Sequence, residues 1–129
     1  MDISPEAKIA SSYEELARHF EHWETLKDMT DQLIHLMVNL RQSGHPGGSL
    51  SKVHATLVTL LSGVMHYDIR HPEKRFNDRI IMVGGHVTPL IYSVLAIFNE
   101  ALRLKYQQTG DPKYLVANAE KRALFPEDL

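Results

Sequence analysis

Apolar residues recur at helical spacing through the first third of the chain. Ser12 and Glu15 fit a capping box, which predicts the start of a helix. Between about residues 23 and 41, apolar side chains return every three or four positions and form one stripe: Leu26, Met29, Leu33, Leu36, Met37 and Leu40. Ser43-Gly44 predicts the end of this helix, because glycine commonly follows a helix C-terminus.

A second helix and a strand are predicted next. The helix runs from about Ser51, whose hydroxyl can cap it, to about Met65, and apolar residues cover most of its circumference. A polar loop follows, and then the run "RIIMV" over residues 79–83. This run is apolar and β-branched and lies between Asp78 and two glycines, which predicts a buried strand.

The last third of the chain predicts one long helix. Thr88-Pro89 match an N-cap and a first helical position, and the helix should continue to about Gln108, before Thr109-Gly110. Asp111-Pro112 can start one more short helix. Because a lone strand makes no sheet, the pattern predicts an α/β fold whose other strands come from elsewhere. We expect residues 1–129 to be a single partial domain, mostly helical by itself.

Composition narrows the classes of function. The chain has 129 residues, no cysteine and a formal net charge of −2. The lack of cysteine excludes disulfides, thiolate metal sites and cysteine nucleophiles. Scattered Lys and Arg give no basic field for nucleic acid, and no apolar run has the length of a membrane span or a signal peptide. We expect a soluble, cytoplasmic protein with no nucleic-acid or membrane partner.

The segment "SGHPGGSLS" has the composition of a binding loop around His45. Gly44, Gly47 and Gly48 allow the backbone to approach another group closely, Pro46 stiffens the turn, and Ser49 offers a hydroxyl beside a helix start. The alternative is that such Gly-Pro turns only punctuate helices.

The segment "VGGHVTPLIY" repeats this arrangement around a second histidine. Here Gly85 and His86 lie between the predicted strand and the helix that begins at Pro89. Ligands of open α/β sheets bind at such strand ends, and helix N-termini favour anions. An imidazole can donate, accept or transfer a proton near neutral pH, so a cleft between the two turns could use both histidines.

Other histidines have plainer interpretations. His66, Asp68 and His71 could be imagined as a metal site, although a solvated loop is the better interpretation. His54, on the predicted second helix, is expected to be a hydrogen-bonded core or interface residue.

"SGHPGGSLS" followed by "NDRIIMVGGHVTPLIYSVLA" resembles the N-terminal part of transketolase-type thiamine diphosphate enzymes. That family has an S-G-H-P-G segment, then a D-R-hydrophobic strand, S-K-G-H and a helix with a small-x-P-x-x-Y pattern. The resemblance covers roughly residues 30–101. The homodimeric pyruvate dehydrogenase first component shares the Gly-His, Pro and Tyr pattern and is the nearest alternative.

The resemblance implies a doubly wound α/β diphosphate-binding fold and transfer of a two-carbon ketol or acyl unit through thiamine diphosphate. His45 would lie in the substrate channel, and His86 and Gly85 would approach the cofactor. Gly44, Pro46, Gly47 and Ser49 would shape the substrate loop. The resemblance also implies a homo-oligomer.

The sequence departs from that family in four respects. Val83-Gly84 replace the Ser-Lys pair, and the approach to the strand is altered to "EKRFNDR". The Gly-Asp-Gly…Asn segment that binds Mg²⁺ and the pyrimidine domain with its activating glutamate do not occur in the 129 residues. We therefore expect an N-terminal fragment or subunit that is inactive alone and needs the missing region in cis or as a separate subunit. The alternative is a non-catalytic interaction or dimerisation module derived from the same fold.

Overall fold

The structure, a computed structural model, describes residues 13–117. The capping box predicted at Ser12 therefore lies outside the described residues. Helical residues make up 66% of the described part, and no strand occurs within it. A helical segment over residues 13–17 precedes the other elements: helices α1 (Phe20–Arg41), α2 (Pro46–Leu50), α3 (Val53–Leu61) and α4 (Thr88–Thr109), with 3-10 turns at Gly85–Val87 and Pro112–Tyr114.

Helix α1 ends where the sequence predicts. Gln42, the C-cap, has a φ of 50°, and its N–H donates to the carbonyl of Asn39 over 3.2 Å. Gly44 follows with a φ of +98°, a left-handed conformation that glycine adopts without steric cost. The chain therefore leaves the axis of α1 before α2 begins at Pro46.

The predicted second helix corresponds to α3, and a short helix that was not predicted, α2, precedes it. Helix α2 begins at Pro46, because the fixed φ of proline suits the first turn of a helix. The hydroxyl of Ser51 donates to the carbonyl of Gly48 instead of capping a helix, and α3 begins after it. Helix α3 ends at Leu61, earlier than predicted, because Gly63 has a φ of +80° and interrupts the helical path.

The predicted strand over residues 79–83 is not formed within the described residues. A strand is defined by ladder hydrogen bonds to a neighbour, and no neighbouring strand exists between residues 13 and 117. The side chains of the run still alternate: Ile80 and Met82 pack against the core, whereas Ile81 and Val83 are 83% and 96% exposed.

The core lies where α1, α3 and α4 meet. Its six buried members are Ile34 from α1, Val53, Leu57 and Leu60 from α3, and Leu90 and Val94 from α4. The helical stretch Gly85–Thr109 is long and apolar enough to cross a membrane by length and composition alone, a test that core helices also pass. In this structure one side of that stretch packs against α1.

The C-terminal end of α4 confirms the prediction made from Thr109-Gly110. Gly110 is the C-cap, with a φ of +66°, and its N–H donates to the carbonyl of Tyr106 over 2.7 Å. The Asp111 side chain then accepts from the N–H of Lys113 and starts the short 3-10 turn.

Candidate functional site

The first turn of the candidate site connects α1 to α2. His45 has an extended backbone, with φ −119° and ψ 111°, and is the N-cap of α2. Its side chain is exposed and has no hydrogen-bond partner within residues 13–117. Pro46 occupies the start of the helix and Gly47 follows, with open space where its Cβ would be. The turn therefore offers an unpaired imidazole beside an accessible backbone.

The second turn connects the 79–83 segment to α4. Gly84 is extended, and its carbonyl accepts from the N–H of Val87 over 3.1 Å, which closes the 3-10 turn. The hydroxyl of Thr88 donates to the carbonyl of Gly85. Helix α4 then begins at Thr88, with Val87 as its N-cap, one residue before the predicted first helical position at Pro89. Within this turn Val87 is buried, whereas His86 is exposed.

The two turns are in contact. Ser49 of α2 is 1% exposed, and its hydroxyl donates to the main-chain carbonyl of His86 over 3.4 Å. The backbone of Gly48 lies directly against the His86 imidazole, since a Cβ built on Gly48 would be 2.6 Å from ring atom Cδ2. Two sequence motifs that resemble parts of one active site are thus neighbours in space.

The sequence predicted that Gly48 allows another group to approach closely, but it did not single out Lys52. Gly48 contacts the His86 ring, and Lys52 donates from Nζ to the carbonyl of Gly48 over 2.7 Å. The spacing of four residues between them was the available signal, because residues four apart lie on one helical face. Lys52 brings a positive charge to the edge of the first turn.

The residues His66, Asp68 and His71 do not form a metal site. Asp68 accepts from Nε of Arg70 over 3.0 Å and from Nζ of Lys74 over 2.7 Å. The Arg70 guanidinium, and then the Lys74 ammonium, hold the pKa of Asp68 well below its usual range. Between residues 13 and 117, no three His, Asp or Glu side chains are grouped to hold a metal ion.

His54 is hydrogen-bonded as predicted, but on an exposed surface. Its Nε2 lies 2.9 Å from Oε1 of Glu24, and the side chains are 62% and 61% exposed. The pair joins α3 to α1 beside a small pocket of 210 Å³ that Phe20, Trp23 and Leu57 help to line. Solvent on both partners makes this contact a minor contribution to stability.

An apolar groove of 570 Å³ lies beside the 79–83 segment, of which Arg79, Ile80 and Ile81 help to line it. It runs between the end of α3, the loop that follows it, and α4. Leu60, Ile80, Ile91 and Val94 are among its apolar lining residues, and Asn99 is among its polar ones. The groove and the outward side chains of Ile81 and Val83 leave apolar surface uncovered in the isolated chain.

Comparisons with protein-family models, with curated proteins and with solved structures find no match to this chain.

Proposed function

We propose that this chain is the N-terminal part of the diphosphate-binding domain of a transketolase-like thiamine diphosphate enzyme. It contributes His45 and His86 to an active site that further sequence, in cis or as a separate subunit, completes. The observation that carries the proposal is the contact of the two turns through Ser49, Gly48 and His86. One active site needs both motifs side by side, although they are distant in the sequence.

The residues of the second turn fit one end of a diphosphate group. His86 is exposed, and neither ring nitrogen has a partner in the described part of the chain. A Cβ on Gly85 would meet nothing within 4 Å, so an anionic group can approach that backbone closely. Lys52 adds a cation at the neighbouring turn. We assign the Mg²⁺ ligands to the missing Gly-Asp-Gly segment.

The two histidines have separate tasks in this proposal. When bound, thiamine diphosphate supplies a carbanion that carries the two-carbon unit. His86 hydrogen-bonds the cofactor near its diphosphate, and His45 hydrogen-bonds hydroxyl groups of the substrate. An imidazole suits both tasks because it can donate, accept or transfer a proton near neutral pH.

The uncovered apolar surface is where we expect the missing sequence to pack. In the proposed doubly wound α/β fold, residues 79–83 become the first strand of a parallel sheet. Ile80 and Met82 already face the core of this chain, and Ile81 and Val83 would face the added structure. Parallel strands are apolar on both faces because helices cover both sides of the sheet. Large exposed apolar surfaces commonly mark interfaces.

Ketol transfer after reconstitution tests the proposed function. The chain, a polypeptide with the Gly-Asp-Gly segment and pyrimidine domain, and their mixture are assayed with thiamine diphosphate and Mg²⁺. We expect activity in the mixture alone, with losses of about 100-fold or more for His45→Ala and His86→Ala. His35→Ala, an exposed histidine on α1, is the matched control and should retain activity. Activity of the chain alone would contradict the proposal.

A non-catalytic interaction module is the second candidate function. The apolar groove of 570 Å³ and the exposed Ile81 and Val83 favour it, since they suit docking without chemistry. In that case the chain would associate with the second polypeptide, or with another copy of itself, and the assembly would bind no thiamine diphosphate. Association together with cofactor binding would exclude it.

A further inference from the structure

The His86 imidazole rests against two glycines from different turns. A Cβ built on Gly48 would lie 2.6 Å from Cδ2 of the ring, and one built on Gly84 would lie 2.6 Å from Cε1. These two ring carbons flank Nε2. Real Cβ atoms essentially never come so close to another atom, so a side chain at either position would displace the ring.

Steric contact is what orients this imidazole. In the described part of the chain, neither Nδ1 nor Nε2 of His86 has a hydrogen-bond partner. Functional histidines are commonly oriented by a hydrogen bond to one ring nitrogen, which leaves one nitrogen for chemistry. Orientation by glycine contacts uses neither ring nitrogen of His86 for a hydrogen bond within the described residues.

We propose that Gly48 and Gly84 are positioning residues that form a slot for the His86 imidazole. The slot, defined by these two glycines, holds the ring in one orientation at the junction of the two turns. The benefit to cofactor binding rests on the proposed function, whereas the orientation itself does not. Gly84 occupies the position of the lysine in the transketolase-type pattern. The slot therefore depends on a residue at which this chain differs from that pattern.

The neighbouring glycines provide matched controls. A Cβ on Gly47 or Gly85 would meet nothing within 4 Å. Alanine is compatible with the backbone at both slot positions, because Gly48 lies within α2 and Gly84 has φ −86° and ψ 110°. The atoms that must move are the end of a flexible side chain. We therefore expect Gly48→Ala and Gly84→Ala to displace the ring without unfolding the chain.

Nuclear magnetic resonance of the intact chain tests the orientation. His86→Ala identifies the ring resonances by their loss. In the unsubstituted chain we expect nuclear Overhauser effects from His86 Hδ2 to the Gly48 α-protons and from Hε1 to the Gly84 α-protons. The absence of these effects would contradict the proposed slot. Because they are measured on the unsubstituted chain, the result does not depend on whether the glycine variants fold. Gly48→Ala and Gly84→Ala should move the ring resonances and abolish the corresponding effect, whereas Gly47→Ala and Gly85→Ala should preserve both effects.

Titration of the reconstituted mixture with thiamine diphosphate tests the benefit to binding. We expect Gly48→Ala and Gly84→Ala to weaken the affinity by about tenfold or more, toward that of His86→Ala, because small displacements of a contacting group are costly. His35→Ala, at an exposed residue of α1 outside both turns, should bind normally. If the slot variants bind as well as the unsubstituted protein, the positioning role fails and the proposed function stands. If the unsubstituted mixture does not bind, the proposed function fails, and the Overhauser effects alone decide the slot.

Discussion

The hydroxyl of Ser49 donates a hydrogen bond to the main-chain carbonyl of His86 over 3.4 Å, across 37 residues of sequence. Ser49 is buried, whereas His86 is exposed, so the bond is partly buried. With the contact between Gly48 and the His86 ring, it joins the two turns that carry the candidate site. The orientation of His86 therefore depends on how α2 is placed.

Removing this bond should destabilise the chain. We expect Ser49→Ala to lower the free energy of unfolding by about 1 kcal/mol, because the substitution removes a partly buried hydrogen bond to the His86 carbonyl. Ser51→Ala is the matched control: its hydroxyl donates to Gly48 over the same 3.4 Å but is exposed, and its change should stay within about 0.5 kcal/mol. Urea unfolding followed by circular dichroism measures both. Equal losses would contradict a linking role for Ser49.

Gly44 should be sensitive to any side chain. Its φ of +98° is in the left-handed region, where an L-residue with a Cβ is strained. We expect Gly44→Ala to lower the free energy of unfolding by about 1–2 kcal/mol, as measured by thermal unfolding. Gly47→Ala, in the same turn but with ordinary backbone geometry and open space, should not destabilise the chain. A stable Gly44→Ala variant would mean that the turn after α1 has another conformation in solution.

Acid should weaken the loop after α3 through Asp68. Arg70 and Lys74 lower the pKa of Asp68 in the folded chain below its ordinary value of 3.8. A carboxylate with a lowered pKa stabilises the folded state above the unfolded pKa, and this contribution is lost as the pH falls toward the folded pKa. We expect Asp68→Asn to lower the free energy of unfolding at neutral pH by about 1 kcal/mol.

The pH dependence distinguishes Asp68 from other carboxylates. Below about pH 4 the unsubstituted chain should lose stability that the Asp68→Asn variant has already lost, so the two curves should converge. Urea unfolding at a series of pH values measures this difference. Glu73→Gln, at a side chain that is 72% exposed, is the control and should leave the curve nearly unchanged. Parallel curves for Asp68→Asn and the unsubstituted chain would refute the role of this ion pair.

Charges on the outward face of the 79–83 segment should block completion of the domain. We expect Ile81→Glu and Val83→Glu to leave the stability of the isolated chain nearly unchanged, because these side chains are 83% and 96% exposed. The same variants should abolish association with the completing polypeptide, since a buried unpaired charge is costly. Phe76→Glu, at a side chain that is 90% exposed in the preceding loop, is the control for added charge. Analytical ultracentrifugation measures association, and normal assembly of both variants would exclude this face as the interface.

Local signals predicted α1 and α4 well but did not predict the short helix α2. The three-to-four-residue repeat and the Ser43-Gly44 stop locate α1, and Thr88-Pro89 and Gly110 locate both ends of α4. These signals act within a few residues of the features that they determine. The end of α3 was placed four residues late, because periodicity continues to Met65 while the backbone conformation of Gly63 does not.

Features that depend on distant partners were less predictable. The run over residues 79–83 has the composition of a strand, but a strand needs a hydrogen-bonded neighbour, and the described residues supply none. The glycine motifs indicated that His45 and His86 belong to similar turns. That Gly48 would contact the His86 ring follows from the packing of α2 against the 3-10 turn, which no local pattern encodes.

We propose that the two turns form part of a thiamine diphosphate site that this chain cannot complete by itself. Isothermal titration calorimetry of the purified chain with thiamine diphosphate and Mg²⁺, before and after addition of the polypeptide with the Gly-Asp-Gly segment and pyrimidine domain, tests it most directly. We predict binding in the mixture alone, and its loss with His86→Ala. Mg²⁺-dependent binding by the chain alone, or no binding in a mixture shown to be associated, would contradict the account.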